Sequence, residues 1–447
     1  MTEGTAAMAG VHAAGEKTER TIVVEGPGRV AVRDEPRAPV SAGAFRVTTV
    51  FSGISAGTEL SYVKGTNPFL SERWDPGLGL FVPGEPNAGY PVTRLGYMEA
   101  GTVAESRTPV IPVGRTVAMT YGHRTGYTGD PVADRVVPLP EDLDPLLGIY
   151  VAHMGPICAN GLLHAAADLC GPDVRSLGDG VRGRRVVVVG AGVVALLTAL
   201  LTRRHGAASV VVLDPTPGRR AVAEALGLES LDPQGPNDAA ASLKTRWRHG
   251  PGDRGADVVF QCRGQPAALH LALRVARPQA TVIDLAFYQG GAAELRLGAE
   301  FHHNALAVRC AQIGRVPRGL AHTWDRERLS AETIDLLRAD GTVIREHLIT
   351  AVVPFEDAPE LLADLAARRR HELQAVLAFD PSIAEPRPAA ALRLKQCPLR
   401  RPPVMETGAA LPPRLAVVGG DVFTADRWLR LRDSLFRFPG VFGGRPG

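Results

Sequence analysis

Four consecutive valines, residues 186–189, run into Gly190-Ala191-Gly192-Val193-Val194-Ala195. A strand that ends on glycines at this spacing and reopens as a helix suits one kind of chemistry. Gly190 permits a tight reversal, Gly192 lets backbone N–H groups approach a pyrophosphate with no Cβ in the way, and Ala195 keeps the helix close to the strand. The positive end of the helix then faces the phosphate. The spacing predicts a dinucleotide site on Gly190, Ala191, Gly192, Val193 and Val194. Asp214 follows a second apolar run, Ser209–Leu213, where such a fold places the acid that accepts from ribose hydroxyls. An acid there repels a 2′-phosphate, so NAD is the expected cofactor. NADP stays open because Arg219 and Arg220 follow closely. Arg263, at the end of a third apolar run, is expected at the same crevice.

Alternating elements surround these residues: strand 186–189, helix 193–204, strand 209–213, helix 217–226, strand 257–261, helix 266–276 and strand 280–285. That alternation predicts an α/β fold with a parallel sheet and crossover helices. Residues 21–140 instead read as short β runs punctuated by Gly and Pro, which suits a compact β-barrel-like module. Residues 144–168 turn helical, with apolar side chains on every face, as expected for a connector packed between domains. A strand, helix and strand within 349–379 are expected to rejoin the first module. The expected organisation is a disordered N-terminus over 1–20, a catalytic domain over 21–165 completed by 315–380, a Rossmann domain over 166–314, and a basic Pro/Arg-rich tail over 381–447. The tail is expected to be loosely ordered, except that Trp428, Leu429, Leu431, Leu435 and Phe438 are spaced to line one side of a short amphipathic helix. The 66–90 segment, with Phe69, Trp74 and Phe81, reads equally as a lid or a surface loop.

The chain has 447 residues, 45% of them hydrophobic and 22% charged, and its net charge is +3. No apolar run approaches the roughly 20 residues a membrane helix needs. The charge is uneven, since the last 67 residues carry a balance of +6 and the body about −3, which argues against nucleic acid as a partner of the body. Five cysteines are scattered, with no C-x-x-C pair, which points to a reducing compartment. Residues 1–20 lack the apolar core of an export signal. The expectation is a cytoplasmic protein that acts on a small molecule, with no membrane partner.

Five landmarks occur in a fixed order: Phe51-Ser52-Gly53-Ile54-Ser55-Ala56-Gly57-Thr58-Glu59, Leu95-Gly96-Tyr97-Met98-Glu99-Ala100-Gly101-Thr102-Val103, the glycine turn, Asp214 with Arg219 and Arg220, and Asp257-Val258-Val259-Phe260-Gln261-Cys262-Arg263-Gly264. Together they resemble the medium-chain dehydrogenase/reductase superfamily over about residues 21–380. The Gly-Ile-Ser-x-Gly-Thr-Glu variant is most similar to the branch of the bacteriochlorophyllide hydroxyethyl dehydrogenases. The resemblance implies a Rossmann-type doubly wound parallel sheet plus a GroES-like β-barrel catalytic domain. It implies hydride exchange between a nicotinamide and an alcohol or ketone, and it leaves a homodimer open. The zinc-bearing members hold their metal with a cysteine, a His-Glu pair and a later Cys or acid. Here Ser55 and Tyr97-Met98 stand at the first two places and the third falls near Pro156, so zinc is disfavoured. A makeshift set of Glu59, His123, His153 and Cys158 remains open.

By position in the family, Thr58 matches a proton-relay hydroxyl, Glu59 follows it, and Tyr97 replaces the lost histidine, where a phenol can serve a developing alkoxide. His153, Lys64 and Tyr62 are further candidates. Two adjacent histidines, His302 and His303, are read on a strand, pointing opposite ways. The leading reading is a zinc-independent NAD(H) oxidoreductase acting on a secondary alcohol or ketone of a polar metabolite. Reduction of an activated C=C bond, as by enoyl or quinone reductases, and a non-enzymic nucleotide-binding scaffold are the alternatives.

Overall fold

The computed structural model describes residues 18–293, 295–380 and 382. The expected disorder of the N-terminus therefore lies almost wholly outside the described residues. So does the basic tail with its Trp428 stretch, Ser382 excepted.

The glycine turn belongs to a six-stranded sheet in the order Glu229–Leu231, Ser209–Leu213, Arg185–Val189, Val258–Gln261, Thr281–Asp284, Ala307–Cys310. Every neighbouring pair is parallel. This is a doubly wound α/β order whose direction of travel reverses between the Arg185–Val189 and Val258–Gln261 strands, where such sheets bind ligands. All four valines of 186–189 are buried. Val186 and Val188 join one apolar cluster, and Val187 and Val189 another on the opposite face. A strand covered on both sides has no polar alternation to show, which is why it reads as an unbroken apolar run.

The second sheet has seven strands and is GroES-like. Its main path runs Ile349–Pro354, Gln374–Ala378, Phe45–Gly53, Glu99–Ser106, Thr116–Met119, Val137–Pro138, and Gly126–Gly129 also pairs with Phe45–Gly53. Its first two strands come from the far end of the described chain, and Val376 pairs with Gly53. A hairpin, Thr18–Gly26 with Arg29–Pro36, docks beside it through the bond from Ile22 N to the His123 carbonyl.

The helices are α1 (Glu59–Lys64), α2 (Met154–Cys170), α3 (Val193–Arg204), α4 (Pro217–Ala225), α5 (Ala239–Arg246), α6 (Pro266–Val275), α7 (Arg326–His347) and α8 (Ala358–Ala366). None among the described residues is long and apolar enough to cross a membrane. Rossmann elements lie within one or two residues of the boundaries expected from periodicity. The long α7 was not anticipated. Asp325 caps it by accepting from Arg328 N at 2.8 Å, and Leu329, Leu336, Leu337 and Ile344 form its buried stripe. His302 and His303 are not on a strand. They follow a helical turn, Leu297–Phe301, and their rings meet edge to face. The 66–90 segment folds as a small hairpin, Arg73–Asp75 with Leu80–Val82, and Trp74 and Phe69 pack on Phe81.

The connector α2 packs on both α3 and α7. Its approach to α7 depends on Gly155, where a Cβ would stand 2.1 Å from Thr333 Cγ2. Gly155→Ala should overpack this crossing and destabilise the protein by about 1–3 kcal/mol. Urea unfolding followed by circular dichroism should show a lower midpoint at an unchanged slope. An unchanged midpoint would mean the helices separate freely.

Candidate active site

The candidate site has two sides, one around the glycine turn, expected to meet a nucleotide, and one around Ser55 and Tyr97, expected to carry the chemistry. On the nucleotide side Gly190 has φ +105°, a conformation that a side chain at this position would strain. Gly192 precedes α3 without a side-chain cap, so the N–H groups of its first turn, at Val193 and Val194, are not taken by a capping side chain. Asp214 is fully buried beneath this turn. Its carboxylate accepts from Ala191 N at 2.9 Å and from Thr216 N at 2.8 Å. The acid expected to meet ribose thus also holds the turn in shape. Two guanidinium groups flank it. Arg263 Nη1 lies 3.8 Å from Asp214 Oδ2. Arg219 Nη1 lies 3.7 Å from where a Gly192 Cβ would be, and burial lowers the pKa of Arg219. Arg220 turns away and donates to the Asp214 carbonyl.

On the chemical side, Ser55 Oγ and Tyr97 OH are hydrogen-bonded to each other. Burial, more than any neighbour, pushes the Tyr97 phenol up to about 12; the Glu59 charge adds to the rise, while Ser55 and Thr58 oppose it. The Thr58 hydroxyl makes no capping bond to α1, which leaves it available to the phenol. The Tyr97 ring meets the His153 ring edge-on at 4.6 Å between centroids. His153 Nδ1 accepts from Arg326 Nη2 at 2.6 Å. A guanidinium can only donate, so the proton of the neutral imidazole is on Nε2. Burial first, then Arg326 and Arg135, lower the pKa of His153 to about 4.

Glu59 does not face the phenol as a free acid. It is buried, with one oxygen accepting from Ser55 N at 2.9 Å and the other 2.9 Å from His123 Nε2. The chain continues through His123 Nδ1 to Ser52 Oγ at 2.6 Å, and from Ser52 to Glu99 Oε1 at 3.0 Å. Glu99 Oε2 has no partner and no access to water. Burial raises the Glu99 pKa, as befits a neutral acid. For His123 burial works against charge, yet Glu59 and Glu99 outweigh it and raise its pKa. Ser52 and Glu99 were missed as functional residues, because nothing in their spacing announces a shared cluster.

Of the lesser candidates, Tyr62 offers its carbonyl to Tyr90 OH, and Lys64, its pKa lowered by burial and by Arg368, belongs to the α1 surface. Gln289 ties the two halves across the crevice, donating to the Gly57 carbonyl at 2.7 Å and accepting from Thr66 Oγ1 at 2.8 Å. The ligand positions do not suit zinc. Two hydroxyls bonded to each other replace thiolate and imidazole, Met98 is buried, and His123 and Glu59 are engaged together. The Cys158 thiol, pushed up to about 12 by burial, is neutral.

Residues 193–324 match the model of the family described as zinc-binding dehydrogenase. D-guloside 3-dehydrogenase of Escherichia coli (strain K12) is 26% identical over 350 residues, covering 76% of this chain and 94% of that protein. Probable D-xylulose reductase A of Arthroderma otae is 27% identical over 379 residues, covering 79% and 96%. A candidate zinc-binding dehydrogenase from Sinorhizobium meliloti 1021, solved bound to NADP, superposes with a TM-score of 0.59 at 20% identity, covering 81% of this chain and 99% of that one. The ordered landmarks, the two sheets and these likenesses agree: residues 193–324 carry the zinc-binding dehydrogenase domain, and over most of its length the chain is similar to medium-chain dehydrogenases and reductases.

Proposed function

We propose that the protein is a zinc-independent, nicotinamide-dependent oxidoreductase that interconverts a ketone and a secondary alcohol on a polar metabolite, with NAD(H) preferred. The observation that carries this reading is the hydroxyl pair Ser55–Tyr97, standing where metal ligands stand in the zinc-bearing members and backed by Thr58. The sugar and polyol names of the relatives support a polyhydroxylated substrate. Asp214 supports NAD by its charge, while Arg219 and Arg263 temper that preference. The structural relative bound to NADP keeps the second cofactor in view.

The Gly190–Gly192 turn would hold the pyrophosphate of a nicotinamide dinucleotide, which would supply or take the hydride when bound. Tyr97, protonated at any physiological pH, donates a hydrogen bond to the carbonyl oxygen. As that oxygen gains charge it takes the phenolic proton, and Ser55 and Thr58 stabilise the phenolate left behind. Glu59 acts as a positioning residue, because it fixes the backbone of Ser55 and is itself held by His123. His153 is neutral and packs the phenol in place.

Tyr97→Phe should reduce carbonyl turnover with NADH by about 100-fold or more, and Ser55→Ala by less, with nucleotide affinity unchanged. Steady-state assays over a sugar and polyol panel read this directly. Full activity in Tyr97→Phe would sink the acid role and favour conjugate reduction. Metal analysis of the active protein should find zinc well below one equivalent, and NAD should bind about tenfold tighter than NADP by fluorescence titration. Stoichiometric zinc, or the reverse preference, would overturn those two parts.

The lowered pKa of His153 also has a consequence for stability. Its folded value, about 4, lies below its unfolded value near 6.5, so the unfolded chain binds more protons between them. Stability from keeping this ring neutral is present above pH 6.5 and is lost as pH falls toward 4. His153→Gln, which cannot titrate, should flatten part of the fall in urea midpoint over that window. An identical pH profile in both proteins would show that the ring titrates alike in the folded and unfolded chain.

A further inference from the structure

Next to His153 lies a cavity of about 920 Å³, bordered by the segment that follows the Ala307–Cys310 strand and by the start of α7. Four arginines line it, Arg135, Arg315, Arg318 and Arg326, against two acids, Asp325 and Glu327. The acids do not balance the cations. Glu327 pairs with Arg135 at 2.6 Å, and Arg135 donates besides to the carbonyls of Ala152 and Arg326 and to Ser330 Oγ, so this residue is part of the framework. Asp325 is occupied as the cap of α7. Arg315 and Arg318 are exposed, and their side chains make no hydrogen bond or ion pair among the described residues. Arg326 reaches His153 with one nitrogen, while its Nε is shielded from water and has no acceptor. Burial and then Arg135 depress the pKa of Arg326, as expected of a cation short of acceptors.

His164 completes the wall. The Arg315 backbone lies beside its ring without reaching full hydrogen-bond geometry, and both ring nitrogens lack a partner. Guanidinium groups gathered with too few acceptors repel one another and lose hydration. An oxyanion supplies the missing charge and lone pairs together, most strongly through the planar donor fork.

We propose that this cavity binds an oxyanion, a carboxylate or a phosphate, held by Arg315, Arg318 and Arg326. Arg326 connects the site to the phenol, since it holds His153 and His153 packs on Tyr97. The proposal is independent of the oxidoreductase reading, because binding is measured without turnover.

Calorimetric titration of the full chain with inorganic phosphate, at constant ionic strength, should show saturable binding to one site. The double variant Arg315→Ala/Arg318→Ala should weaken it by about tenfold or more, and Arg326→Lys, which keeps charge but loses the fork, should weaken it measurably. Both residues of the double variant are exposed, so its melting temperature should match the parent's. Equal binding in parent and double variant, or no saturable binding below about 50 mM, would overturn the site. Glycerol 3-phosphate distinguishes two sources of the same chemistry. Tighter binding than inorganic phosphate identifies the anionic end of a small organic molecule; equal or weaker binding, still lost in the double variant, identifies a free ion.

Discussion

A carboxylate withdrawn from water must be met by donors, and Glu59 is such a group. It lies between the Ser55 amide and the His123 ring, and each of its oxygens is engaged. That constraint fixes more than one salt bridge. It sets the backbone of Ser55 and through it the partner of Tyr97. It holds His123, from the turn after the Thr116–Met119 strand, and His123 in turn brings Ser52 and Glu99 into one buried chain. Two acids and one imidazole share this space without solvent, so they cannot all be charged. Glu99, with an oxygen that meets nothing, is the one that stays neutral. The Ser55 and Tyr97 hydroxyls therefore stand beside a buried, hydrogen-bonded base.

The parts of this arrangement that were legible in the sequence are local. Val186 to Val189 followed by a glycine turn carry strand, turn and helix within a dozen residues, and Asp214 follows at a distance the fold dictates. The alternation of strands and helices likewise depends on neighbours in sequence. The site cluster was less legible because it depends on neighbours in space. Ser52, Glu99 and His123 lie on separate strands and turns, and only the pairing of Phe45–Gly53 with Glu99–Ser106 brings two of them together. Thr58 and Glu59 are adjacent in the chain yet point to different tasks, one toward the phenol and one into the core. Residue type alone does not separate them. The helix α7 was overlooked for another reason: Gly341 interrupts its pattern, although that glycine is where Leu147 packs closely.

The two halves of the crevice also differ in how they meet charge. The nucleotide side uses backbone N–H groups and an acid that braces them, flanked by Arg219 and Arg263. The chemical side uses neutral groups whose pKa values are pushed away from physiological pH: a phenol raised, an imidazole lowered, a thiol raised. Cations are confined to the flanks, where Arg326 joins the His153 ring to the arginine-lined cavity. An environment of this kind lowers the local dielectric response, and in the proposed reaction it would make each hydrogen bond to a developing alkoxide count for more than it would in water.

The seven-stranded sheet receives its Ile349–Pro354 and Gln374–Ala378 strands from the far end of the described chain, against a partner near its beginning. The six-stranded sheet has all its strands between residues 185 and 310. During synthesis the six-stranded half can therefore collapse as a unit while the seven-stranded half still lacks two strands and leaves Phe51–Gly53 without one neighbour. The wall that carries Ser52 and Ser55 gains its last neighbour only when the Gln374–Ala378 strand arrives. A protein cut short before residue 374 would keep every strand of the six-stranded sheet, yet lack the neighbour that Phe51–Gly53 needs beside Ser55.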